Sequence, residues 1–437
     1  MQLQGWGRYP VQEGTLTEPD NTDALRQLLT GQKSTVPLIA RGAGRSYGDS
    51  AIAANVVGTR YFDNFHSFDQ TSGVLRCDAG VSLEQILQLT IPAGWFLPVV
   101  PGTSQITVAG AIASDVHGKN HHRDGCFSSF VNEFSLLLAN GETVRVSRDQ
   151  NRDLFRATCG GMGLTGIILE ASLQLRAITS SAIQQRTRPA ESLSAIMALF
   201  EEYDDAHYSV AWLDCLAAGQ ALGRSILFLG EHADDNQRGL VSPRSWSVPF
   251  STPGALLNSF TVRSFNAAYF NWHQRRSRRQ RVSYANYFFP LDSFHHWNRL
   301  YGRRGFLQYQ LVLPAESAKS GIQTVLQKIQ AAGKGSFLSV LKKMGAQNDN
   351  LLSFPLSGYT LALDFKYEPN LFQLLETLDA VVLDHDGRLY LAKDARMSEH
   401  VFKKSYPRWQ EFLEIKKSVD PQGQFASAQS MRLGIKF

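Results

Sequence analysis

Residues 41–49 read Arg-Gly-Ala-Gly-Arg-Ser-Tyr-Gly-Asp and follow the strand-like run Thr-Val-Pro-Leu-Ile-Ala at 35–40. Glycines at such a boundary (Gly42, Gly44, Gly48) permit a sharp turn and bring bare backbone N–H groups up to an anion. Arg41 and Arg45 add positive charge around Ala43, Ser46 and Tyr47. A pyrophosphate is the natural guest. A Rossmann fold is excluded, because its fingerprint needs Gly-x-Gly-x-x-Gly opening a helix. Here the third glycine would fall on Tyr47, and residues 49–58 show no helical stripe. Most glycine-rich turns are only turns, so this loop alone does not decide the function.

Two more clusters lie in the same region. Residues 101–118 hold Gly102, Thr103, Gly110, His117 and Gly118, and Thr107 is placed to cap a short helix made of Gly, Ala and Ser. A helix with such small side chains lets something flat or bulky lie against its backbone, or packs closely on a sheet. Residues 160–166 form a glycine-rich turn into Ile167, Ile168 and Leu169. Three such clusters, each at an element boundary, form a pattern that one does not.

Composition narrows the class. With 437 residues, 43% hydrophobic and 19% charged, the chain has room for two or three domains of an ordinary globular enzyme. A net charge of +5 favours anionic partners without requiring nucleic acid. The four cysteines lack any Cys-x-x-Cys spacing, which fits neither a metal nor a disulfide framework and suits a reducing compartment. No signal peptide is read in the N-terminus, and the charge-free stretch 85–114 is interrupted by three prolines and three glycines, so no transmembrane helix is expected. The expected location is cytoplasmic or peripheral to a membrane.

Residues 1–180 alternate short strands and helices. A helix begins at Ser82 with Gln85 completing a capping box and Ile86, Leu87 and Leu89 on its apolar side. Another covers 152–158, and strands cover 143–146 and 166–175. Residues 181–387 read as an α+β substrate domain on an antiparallel sheet, with strands at 208–213 and 306–313 and a helix at 316–332. Within it, 237–281 is an irregular stretch expected to be a mobile loop. Residues 388–437 bring a strand at 388–392 and a helix at 398–419.

These clusters resemble the FAD-binding domain of the vanillyl-alcohol-oxidase type of flavoprotein. His-Gly-Lys-Asn-His-His at 117–122, Phe-Leu-Gln-Tyr-Gln at 306–310, Leu-Ser-Phe-Pro at 352–355 and Gly-Arg-Leu-Tyr-Leu-Ala-Lys-Asp at 387–394 narrow the resemblance to the decaprenylphosphoryl-β-D-ribose 2′-oxidase family, from about residue 35 onward. The resemblance implies a two-part FAD-binding domain (1–180 and 388–437) and a substrate-binding domain (181–387). It implies FAD held by residues 41–47, Gly102, Thr103, Gly110, His117, Gly118, the Ile167 backbone, Tyr390 and Lys393. Relatives that bind FAD covalently use a histidine in the first loop; this loop has none, which implies non-covalent FAD.

The implied reaction is oxidation of a secondary sugar alcohol, the 2′-hydroxyl of a polyprenyl-phosphate ribose. A short-chain NAD(P)H-dependent reductase would then take the keto sugar on to arabinose, for the cell envelope. Lys393, His117 and Tyr390 match catalytic positions. Gln308, Gln310, Lys342 and Tyr47 match the substrate pocket. Mycobacterial members carry a cysteine where this chain has Ala362, so inhibitors that attack that thiol lose their anchor.

A soluble aldonolactone or alditol oxidase using oxygen is the alternative. A zinc site at His117, His121 and His122 lacks the glutamate of His-Glu-x-x-His, and no metal is expected. Residues 275–281 hold five arginines in seven residues, which suits an anionic membrane surface at least as well as nucleic acid.

Overall fold

The computed structural model describes residues 1–31, 36–241, 246–252, 258–275 and 279–436. Thr35, Arg276 and Arg278 lie outside them. The chain is α+β. The first glycine loop leaves the strand Leu38–Arg41, which pairs in parallel with Asn55–Gly58, itself parallel to Thr15–Thr17. The C-terminal return completes this layer: Leu38 exchanges backbone hydrogen bonds with Gln424 (2.9 Å) and Ala426 (2.9 Å). A five-stranded antiparallel sheet packs beside it, ordered Thr143–Ser147, Val131–Leu137, Ile167–Gln174, Val74–Asp78, Phe65–Asp69.

The larger sheet has eight antiparallel strands, in the order Arg279–Ser283, Ala182–Ala190, Ser225–His232, Tyr208–Leu213, Ser339–Met344, Gly358–Lys366, Phe306–Pro314, Arg388–Leu389. Ala315–Ala332 and Leu371–Asp384 cover one face with stripes such as Ile322, Val325, Leu326 and Ile329, all fully buried.

Several sequence expectations need correction. The helix from Ser82 has its full capping box, but Leu89 is exposed and Leu83 takes its place in the core. The last strand stops at Leu389, because the Tyr390 carbonyl accepts from Lys393 N–H (3.0 Å) and Asp394 N–H (3.0 Å) and so closes a turn. The expected helix 398–419 is two, Glu399–Ser405 and Trp409–Val419. Pro407 forces Tyr406 out of the helical region (φ −119°, ψ 78°). The stretch 237–281 is not irregular throughout. It holds a 16-residue helix, Ser259–Gln274, capped by Asn258, and the sheet-edge strand Arg279–Ser283.

Candidate functional site

Between the FAD-type layers and the eight-stranded sheet lies a cavity of about 410 Å³, within the range of ligand sites. One wall is mostly backbone. The 42–48 loop is fastened on both sides: Trp6 N–H donates to Ser46 O (2.8 Å), and Tyr47 N–H donates to Ala392 O (3.0 Å). Gly44 has φ +64°, which favours glycine. A Cβ on Gly48 would lie 1.8 Å from the Asp394 carbonyl oxygen, so only glycine lets the loop touch the Lys393–Asp394 turn. Thr107 caps Val108–Ala113 by accepting from Gly110 N–H (3.1 Å), and the small residues Ala109, Gly110, Ala113 and Ser114 line the cavity. Met162, Gly163, Gly166 and Ile167 close that wall.

The opposite wall is made of side chains. On a strand, alternate residues share a face. Gln308 and Gln310, Val340 and Lys342, and Ala362 therefore point into the cavity from three adjacent strands; Ala362 is in register with both Gln310 and Val340. Behind them Asp364 is buried, accepting from Gln308 Nε2 (2.6 Å) and the Tyr301 hydroxyl (3.5 Å). The turn after Arg388–Leu389 brings in Tyr390 and Lys393, whose Nζ lies 3.9 Å from the centre of the Tyr47 ring.

Burial governs the charges here. Desolvation pulls Lys393 down to about 8, against the upward pull of Asp364. Desolvation and the Lys393 charge bring Lys342 to about 7. Asp364 is pushed up to about 7 by burial, offset by Gln308 and Lys393. Neither lysine forms an ion pair with a carboxylate among the described residues. Lys393, the more basic of the two amines, is the main positive charge in this dry cavity, and Lys342 beside it gives up its proton more readily.

His117 is 6% exposed. Its Nε2 faces the Gln310 amide nitrogen (3.1 Å), which places the ring proton on Nδ1, where no partner is found. Burial and the two lysines depress its pKa well below the ordinary value, so the ring is neutral and a poor base. The turn that carries it is set by Asp115, buried at φ +39°, which accepts from Asn348 (2.7 Å), Asn350 (2.8 Å) and Ser353 (2.7 Å). Tyr390 donates to Ser114 O (2.9 Å) and packs against the His117 ring, with centroids 5.2 Å apart.

The expected residues Gly42, Ala43, Gly44, Arg45, Ser46, Tyr47, Gly102, Thr103, Gly110, His117, Ile167, Gln308, Gln310, Lys342, Tyr390 and Lys393 all line this one cavity. Arg41 and Gly118 do not. The Arg41 guanidinium turns under the loop to Gln4 O (2.8 Å) and Ala51 O (3.1 Å). A Cβ on Gly118 would meet Asn120 Oδ1 at 2.5 Å, so packing beneath the cavity accounts for that glycine. Of the other two histidines in this motif, His121 Nδ1 accepts from Gly345 N–H (3.1 Å) and His122 Nε2 bonds Ala206 O (2.9 Å). Trp6, Asp292 and Phe294–Trp297 line the mouth with no motif to announce them; Asp364 could have been read from its two-residue spacing to Ala362.

The wall fits FAD. At Gly102 a Cβ would meet nothing within 4 Å, so neither packing nor φ demands glycine there, while an approaching flat ligand does. The unpartnered His117 Nδ1–H offers a buried donor on the same side.

Comparison with known proteins agrees with this geometry. A sequence profile for an FAD binding domain matches residues 15–147, and one for D-arabinono-1,4-lactone oxidase matches residues 359–433. The chain is 36% identical to a decaprenylphosphoryl-beta-D-ribose oxidase of Mycolicibacterium smegmatis over 449 residues, covering 99% of this chain and 97% of that protein. Similarity to the human Delta(24)-sterol reductase is 30% over 132 residues, 30% of this chain and 25% of that protein. A putative D-arabinono-1,4-lactone oxidase of Neurospora crassa is 31% identical over 134 residues, 30% of this chain and 24% of that protein.

Proposed function

The chain belongs to the family of decaprenylphosphoryl-β-D-ribose oxidases, FAD-dependent oxidoreductases, and from that premise we propose that it oxidises the 2′-hydroxyl of a polyprenyl-phosphate-linked ribose to the ketone. The observation that carries the reading is the pairing of walls: small residues and bare backbone on one, Gln308, Gln310, Lys342 and Lys393 on the other. A flat cofactor suits the first and a hydroxylated, phosphorylated sugar the second. The lactone-oxidase profile spans only 75 residues, 359–433, so it does not favour the alternative.

Bound FAD, non-covalent in this reading, supplies the two-electron acceptor for the hydride leaving the carbinol carbon. The 42–48 loop, Gly102, Thr103, Gly110 and the Ile167 backbone hold it. Lys393 contributes the fixed positive charge that stabilises developing negative charge, and dehydration of its site strengthens that effect. Gln308 and Gln310 orient the sugar hydroxyls, each fixed by a second partner, Asp364 and Thr360. His117 orients through Nδ1–H and, being a poor base, does not take the hydroxyl proton. Lys342, at about 7, is matched to that task at neutral pH. The ketone then requires an NAD(P)H-dependent reductase to reach arabinose. An anionic membrane surface is the proposed source of the substrate.

The test is anaerobic mixing of the purified flavoprotein with farnesyl-phosphoryl ribose. Bleaching of the visible flavin band with a keto-sugar product supports the reading. Bleaching by aldonolactones alone refutes it. Acid precipitation that leaves flavin in the pellet refutes the non-covalent attachment.

A further inference from the structure

The three most exposed aromatic side chains among the described residues fall within fifteen residues of each other: Phe260 at 76%, Phe250 at 68% and Trp246 at 67%. Single exposed apolar residues are unremarkable, but a cluster of large ones marks an interaction surface. The cluster sits in a stretch of unusual charge. From Asn236 to Leu291 there are eight arginines and no aspartate or glutamate. Among the described arginines Arg281 is paired, with Asp235 at 2.7 Å, whereas Arg263, Arg275 and Arg279 are exposed and form no ion pair among the described residues.

The helix Ser259–Gln274 carries apolar side chains on both its buried and its exposed faces. Val262, Asn266 and Phe270 are buried against the eight-stranded sheet, while Phe260, Arg263 and Arg275 at its end are exposed.

This surface is joined to the cavity mouth. Trp246–Ser247 pairs in parallel with Phe294–His295, and Phe294 and His295 line the cavity. The pairing continues through Val248 N–H to His295 O (3.0 Å) and Thr252 N–H to Arg299 O (3.0 Å). Arg299 donates back to Val248 O (2.8 Å). The exposed rings of Trp246 and Phe250 therefore stand on a strip bonded edge to edge to the rim of the site.

We propose that this strip and the outer face of the Ser259–Gln274 helix dock on an anionic lipid bilayer, setting the cavity mouth against the membrane. Aromatic rings enter the interface while arginines meet lipid phosphates, which is the pattern of interfacial helices. An arginine-rich segment with no acid of its own and with protruding rings suits a bilayer better than nucleic acid, where protruding apolar side chains gain nothing outside a groove or a base stack. The proposal rests on the lipid-linked substrate reading: a polyprenyl tail that stays in the bilayer needs the mouth to come to it.

The test is co-sedimentation of the full-length, FAD-loaded protein with vesicles of phosphatidylcholine alone or with phosphatidylglycerol at about one lipid in three. The expected result is binding to the anionic vesicles, lost at high salt, and lowered by at least about tenfold in the Trp246→Ser/Phe250→Ser/Phe260→Ser variant. That variant should keep its flavin spectrum and its turnover of a short-chain substrate in detergent. An Arg263→Gln/Arg275→Gln/Arg279→Gln variant, which alters only exposed side chains, should lose the preference for anionic vesicles. Wild-type protein that ignores vesicles while oxidising the detergent-solubilised substrate overturns the surface but not the function. Vesicle binding without sugar oxidation overturns the function but not the surface. Equal salt-sensitive binding to duplex DNA overturns the assignment of the partner.

Discussion

The two walls of the cavity recognise by different physics. The wall proposed to hold FAD is mostly backbone: Gly42, Gly44, Gly102 and Gly110 present no side chain to the cavity, and its errors are steric. The sheet wall presents buried lysines, amides and a carboxylate, and its errors are electrostatic. A methyl group is the sharpest probe of the first wall and a charge the sharpest probe of the second.

The largest effect is expected where the first wall touches the second. Gly48→Ala places a Cβ 1.8 Å from the Asp394 oxygen, against backbone that cannot yield, and should cost about 3 kcal/mol or more. The protein should emerge insoluble or without flavin. Gly102→Ala is the control: its Cβ meets no protein atom within 4 Å, so the melting temperature without FAD should not change while FAD affinity falls about tenfold. Equal behaviour of the two variants would erase the distinction between a packing glycine and a ligand-facing one.

Next comes charge. Lys393→Ala should retain FAD and lose about 10²–10³ in kcat, the range for removing one preorganised stabilising group. Full turnover would remove Lys393 from the chemistry. Asp364→Asn is gentler. It deletes the one carboxylate that raises Lys393, so the alkaline limb of kcat/KM should move to lower pH. An unmoved limb would assign Asp364 to packing alone.

The buried lysines also predict a stability signature. Lys342 at about 7 and Lys393 at about 8 both release protons more easily folded than unfolded. From about 7 up to the ordinary lysine value of 10.5, the unfolded chain therefore holds more protons, and stability of the cofactor-free protein should rise with pH from these two groups. A Lys342→Met/Lys393→Met variant, followed by urea denaturation at pH 7 and pH 9, should show a smaller rise. The smallest effect is Ala362→Cys, which adds a thiol to the cavity without touching a charged group: turnover should stay within about twofold, and only the variant should be trapped covalently by thiol-directed nitroaromatic inhibitors.

The two walls also differed in how far they could be read from sequence. Glycine clusters at element boundaries are local signals, and the 42–48 loop and the Thr107 cap were visible as such. The sheet wall was visible only through motifs carried by resemblance, because Gln310, Lys342 and Ala362 meet through strand register, which spacing along the chain does not encode. Asp364, two residues from Ala362 on the same strand, did carry a local signal that was left unread. Arg41 misled because charge beside a glycine loop looks like a ligand contact, whereas its guanidinium is spent on the carbonyls of Gln4 and Ala51. Pro407, which divides the expected C-terminal helix, was a local signal left unread.

Arg432 joins Asp49 (2.6 Å) and Asp394 (2.8 Å), fastening the segment after the glycine loop to the turn that carries Lys393. The two carboxylates lie 345 residues apart and their clasp comes from a third segment later still. While the protein is being synthesised, a nascent chain that has not yet released Arg432 from the ribosome can join these two segments through the Tyr47–Ala392 backbone bond but not through the ion pairs. A fragment ending before Arg432 would leave the glycine loop and the Lys393 turn without this ionic clasp however well the earlier sheets had formed.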